Sequence, residues 1–111
     1  METVSLVIPS DPMYVTTLRL VTASIAQKMG FDIEAVDDLR VCVSEAVNYL
    51  FPYNERIRVN FSEEDDRITI AILAQAPSED SEESRLHRMI MESLLDGVEE
   101  RKDGFVLTKG R

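Results

Sequence analysis

Hydrophobic and polar positions divide the chain into strand-like and helix-like stretches. Val4, Leu6 and Ile8 alternate with smaller or polar residues between Thr3 and Ile8, and Pro9 ends the run, so a short strand is predicted. Asp11 before Pro12 is the arrangement that caps a helix, and Leu18, Val21, Ile25 and Met29 then recur at helical spacing as far as Gly30. Asp32 caps a second helix with a buried stripe of Val36, Leu39, Val43, Ala46, Val47 and Leu50, closed by Pro52. Ile57, Val59 and Phe61 alternate with Arg58 and Asn60. Glu63 to Asp66 turns the chain, and Arg67 to Ala74 returns as a second, nearly all-apolar strand, which predicts a hairpin with a central member. Leu86, Met89, Ile90 and Leu94 mark the inward stripe of a third helix, ended by Asp96 and Gly97. Val98 to Arg101 and Phe105 to Lys109 form a last hairpin around Asp103 and Gly104. Three amphipathic helices need one sheet face to bury against. The fold class expected is therefore α+β: a two-layer sandwich, mostly antiparallel and five-stranded, with three helices on one face and no internal domain boundary.

Composition narrows the function classes. A chain of 111 residues, 44% hydrophobic and 30% charged, is long enough for one core. Its formal charge of −9 opposes binding to phosphate backbones, and no basic cluster offsets it, so no nucleic-acid partner is expected. The longest apolar run is too short to span a membrane and the N-terminus is unlike a signal peptide, so a cytoplasmic protein is expected. Cys42 is the one cysteine; inside the second helix it reads as a small buried hydrophobe. His87, the one histidine, has no metal-ligand spacing to it, and no metal site is expected. The segment Ser78 to Glu83 is acidic and reads as exposed loop.

Candidate chemistry concentrates in Val41 to Tyr49, read VCVSEAVNY. Glu45 and Asn48 stand three residues apart, and in a helix both can look into one pocket. On the first helix Thr16, Arg19, Leu20 and Ala23 form a mixed patch on the face away from the predicted stripe, suited to touching a partner.

Three runs carry a family resemblance: IPSDPMYVTTLRLVTASIAQKMGF, DDLRVCVSEAV and MIMESLLDGVEERKDGFVLTKG. Through them the chain resembles the small bacterial anti-sigma factors that double as serine kinases, members of the histidine-kinase-like ATPase superfamily. The resemblance implies that Glu45 is the family's catalytic base. It also implies an Asn four residues later that holds magnesium; here that position is Tyr49, and Asn48 stands one place early, about 100° round the helix. An adenine-reading Asp with two glycines is expected near Gln75, Ala76 and Pro77, and a glycine-rich phosphate cradle near Glu82, Glu83, Ser84 and Arg85. Neither is present, and the carboxylates would repel a triphosphate. The resemblance thus implies a regulator that binds a sigma factor or an anti-anti-sigma protein, with Arg19 at the family's contact position and the ATP site degraded. The alternative it leaves is an active ATP- and magnesium-dependent serine kinase with Glu45 as base and Asn48 at the cofactor. A scaffold acting as a homodimer is a third reading. With no substrate positioned, Glu45 is expected to be satisfied by local hydrogen bonds.

Overall fold

The computed structural model describes residues 2–76 and 81–111. The chain runs β1 (Val4–Pro9), a 3-10 turn (Pro12–Tyr14), α1 (Val15–Lys28), α2 (Ile33–Leu50) and a second 3-10 turn (Phe51–Tyr53). It continues through β2 (Arg56–Glu64), β3 (Arg67–Leu73), α3 (Glu82–Leu94), β4 (Gly97–Arg101) and β5 (Gly104–Gly110). The strands form one sheet in the order β1-β2-β3-β5-β4, and every neighbouring pair is antiparallel. This is the α+β sandwich that the hydrophobic pattern predicts, with β3 in the centre.

Register explains where the core lies. Val59, Ile72 and Phe105 stand opposite one another across three strands, and Phe61, Ile70 and Leu107 form the next row. All six are buried, while their sequence neighbours on the other sheet face, the buried Gly104 apart, are only partly covered or exposed. The buried stripe of α2 covers these rows and contains all six residues expected of it, joined by Cys42 and Tyr49.

Local chemistry sets the boundaries. Asp32 Oδ1 accepts from the Ala35 backbone N–H at 2.8 Å and so caps α2. Asp11 Oδ1 accepts from Met13 N–H at 3.0 Å, but it caps the 3-10 turn, and α1 proper begins only at Val15. The β2–β3 turn places Asp65 and Asp66 at φ 52° and 62°, left-handed values that short polar side chains tolerate and that match the twist of a two-residue hairpin. Gly104 has φ 124°, and a Cβ there would come within 1.8 Å of the Ile72 carbonyl oxygen, so a side chain cannot be accommodated where β5 meets β3.

Two helix faces differ from those predicted. On α1 the buried residues are Leu18, Thr22, Ala23 and Ala26, with Val21 and Ile25 only partly covered. Thr22 lies inside because its hydroxyl donates to the Leu18 carbonyl at 2.8 Å, leaving no bare polar group. On α3 the inward residues are Ser84 and Met91, with His87, Arg88 and Leu94 half-buried, whereas Leu86 and Met89, expected in the core, are 56% and 64% exposed. The helix also starts earlier than its apolar stripe suggests. Ser81 and Ser84 cap reciprocally, each hydroxyl accepting from the other's backbone N–H at 3.1 Å, so Glu82 and Glu83 belong to the first turn. Of the acidic loop expected over 78–83, residues 78–80 lie outside the described residues.

Candidate functional site

The fourth turn of α2 brings its chemistry to the helix's border with α3. Glu45 points across that border, and its Oε2 lies 2.5 Å from His87 Nδ1. The partner is thus 42 residues away in sequence, and the expectation that Glu45 is satisfied locally is corrected to a tertiary contact. His87 Nε2 lies 3.6 Å from Glu83 Oε1, one turn back on its own helix, so carboxylates approach both ring nitrogens.

Tyr49, one turn after Glu45, fills the adjoining space. Its ring centroid lies 5.2 Å from that of His87, 6.1 Å from that of Phe105 and 6.2 Å from that of Tyr53. Burial raises its phenol pKa above the usual value, and hydrogen bonding to Ser84 only partly opposes this, so the group stays neutral. Asn48 is exposed, and among the described residues nothing is bonded to its side chain. Glu45 and Asn48 therefore do not share a pocket: a one-residue offset turns the amide to solvent and puts an aromatic ring where the next position points.

Around this cluster the nearby backbone is pinned. Asn54, just beyond the second 3-10 turn, accepts from Gln75 N–H at 2.7 Å and donates to the Gln75 carbonyl at 3.0 Å and the Leu50 carbonyl at 2.8 Å. Its one side chain joins the end of α2 to the segment following β3. Neither Asn54 nor His87 was singled out as functional by the sequence pattern, because each acts through a residue distant in the chain. Cys42, deeper in α2, is fully buried; desolvation first, then Asp38, pushes its thiol up to about 12, which makes it inert. Among the described residues no group of three acidic, histidine or cysteine side chains is placed to hold a metal ion. Among the described residues no helix is long and apolar enough to cross a membrane.

The second candidate surface lies on α1. Thr16, Arg19 and Leu20 are exposed, Leu20 by 63%, and no hydrogen bond or ion pair within the described residues holds Arg19. Ala23 is corrected: at 8% exposure it belongs to the core and cannot complete the patch. Met13, in the preceding 3-10 turn, is also exposed, by 69%. A large apolar side chain so close to a helix start gave the sequence no periodic signal.

Comparison with known proteins points to one family. Residues 8–107 match the family described as histidine kinase-like ATPase domain. The chain is similar to the serine-protein kinase RsbW of Oceanobacillus iheyensis, with 38% identity over 81 residues that cover 68% of this chain and 51% of that protein. The serine-protein kinase RsbW of Listeria monocytogenes serovar 1/2a is 36% identical over 72 residues, covering 65% and 43%. That of Bacillus subtilis is 26% identical over 84 residues, covering 70% and 52%. The chain spans about half the length of these relatives.

Proposed function

The chain belongs to the histidine kinase-like ATPase domain family, as an RsbW-like member, and on that premise we propose that it is a regulator of the anti-sigma type that works without nucleotide. It binds a sigma factor or an anti-anti-sigma protein through Arg19, with Thr16 and Leu20 beside it. The observation that carries the loss of nucleotide chemistry is the engagement of Glu45. Its carboxylate is held by His87 while the Tyr49 ring packs alongside, in the region where the family's base would face its substrate.

The residues present do not fit ATP and magnesium. An amide that would ligate the metal is turned outward at Asn48, and the position in register is the buried ring of Tyr49. The first turn of α3 presents Glu82 and Glu83, whose charges already occupy the positive field of the helix N-terminus, and it contains no glycine through which backbone N–H groups could approach phosphates.

Two measurements test the reading separately. Arg19→Glu is expected to abolish capture of a sigma factor or anti-anti-sigma protein from the native cell, with the captured protein identified by mass spectrometry and thermal unfolding unchanged. Undiminished capture by the variant would remove Arg19 from the interface. Calorimetric titration with magnesium and ATP is expected to give no heat of binding. Micromolar binding lost in Glu45→Ala would establish the active-kinase reading instead.

A further inference from the structure

We propose that the outward face of α3 is a docking surface for a basic amphipathic helical segment of a partner protein. This inference is independent of the α1 reading, because it rests on a different helix and different side chains.

α3 is apolar on two opposite sides. Met91 points into the core, and Leu86 and Met89 lie on the far side of the same helix, since steps of two and five residues turn roughly half a circle. A helix that packs only one face on its own domain carries polar residues on the other, so a second apolar face signals a second packing partner. Two large unbranched or γ-branched side chains one turn apart form the ridge that a facing helix can straddle. Methionine adds the conformational adaptability common at helix-binding surfaces. The solvent space against this ridge, about 570 Å³, is lined by Glu82, Glu83, Arg85, Leu86 and Met89.

Charge selects the occupant. Glu82, Glu83 and Glu92 are exposed around the ridge against the single exposed cation Arg85, and the whole chain carries −9. A second copy of this chain would bring carboxylates against carboxylates, which disfavours self-association through this face. A segment with leucine-like residues on one face and lysine or arginine beside them satisfies both the ridge and its rim, as one amphipathic helix packing on another.

The test uses the full chain and three synthetic peptides of about 15 residues, long enough to form a helix on binding. One has leucine on one face and lysine on the other, one replaces lysine with glutamate, and one scrambles the leucine–lysine order so that no apolar face forms. Fluorescence anisotropy gives affinity, and methyl NMR of Leu86 and Met89 locates the contact. The lysine peptide is expected to bind and to shift those methyls, the other two to bind at least about tenfold more weakly. The double variant Leu86→Ser, Met89→Ser is expected to lose about tenfold in affinity with unchanged circular dichroism, and Arg19→Glu to lose none. Absence of binding, equal binding of the scrambled peptide, or equal binding by the double variant would each overturn the proposal. So would a homodimer in sedimentation that the double variant abolishes, which would make the occupant a second copy.

Discussion

α1 and α3 flank α2 on the same sheet face, yet they are held in different ways. α1 lies close to α2 through small side chains, Thr22, Ala23 and Ala26, with Leu18 wholly buried between the layers. Such an interface is made by shape and dispersion. α3 is joined to α2 at its N-terminal half by the His87–Glu45 hydrogen bond and the Tyr49 ring, with Met91 and Leu95 supplying the apolar contacts further on. The comparison teaches that one helix is a fixed wall and presents a candidate partner surface, whereas the other is joined to the site through contacts that single substitutions can release.

The largest effect expected from breaking this contrast is on the wall. Leu18→Ala removes a fully buried side chain and is expected to destabilise the whole domain by about 3 kcal/mol, read from chemical denaturation with an unchanged m-value. A second effect concerns the fixed core of α2. The Cys42 thiol ionises near 9.0 when unfolded and only at about 12 when folded, so above pH 9 the unfolded chain binds fewer protons than the folded one. Stability is therefore complete below pH 9 and falls towards pH 12, by at most about 1.4 kcal/mol per pH unit. Tyr49, raised in the same direction, adds to the fall at the upper end of this window. Denaturation of Cys42→Ala across that range is expected to show a shallower decline.

Smaller and more local is the release of α3. His87→Ala leaves the Glu45 carboxylate, which is partly exposed, to water, so a cost of about 1 kcal/mol is expected, appearing as faster amide exchange in α3 while α1 is unaffected. His87→Gln, which retains a donor, is expected to recover part of the protection. Equal acceleration in both flanking helices would erase the distinction between them. The smallest effect belongs to the outward positions: Leu86→Ser and Met89→Ser are expected to change stability by less than about 0.5 kcal/mol each, since neither is packed in the isolated chain.

Much of this architecture is legible in the chain itself. The order of elements, the α2 stripe, the Asp32 cap and the burial of Cys42 follow from periodicity and turn chemistry, which act over a few residues. So does the candidate patch at Thr16, Arg19 and Leu20, although Ala23 shows the limit: a small residue on a helix flank reads the same whether water or another helix covers it. Glu45 was visible as an acid among apolar neighbours, but not what it meets.

The sequence by itself determined the order and type of the secondary elements and the chemical types available at the site, because hydrogen-bonding and rotational preferences of nearby residues are local. Only the tertiary structure decided which side of α3 faces inward, that His87 reaches Glu45, and that Asn48 and Tyr49 part company at the end of α2. Those choices depend on how two helices rotate against one sheet, and α3 has two apolar faces between which periodicity cannot choose. The packing of Met91 and the contact of His87 with Glu45 break that tie, through residues far apart in the chain.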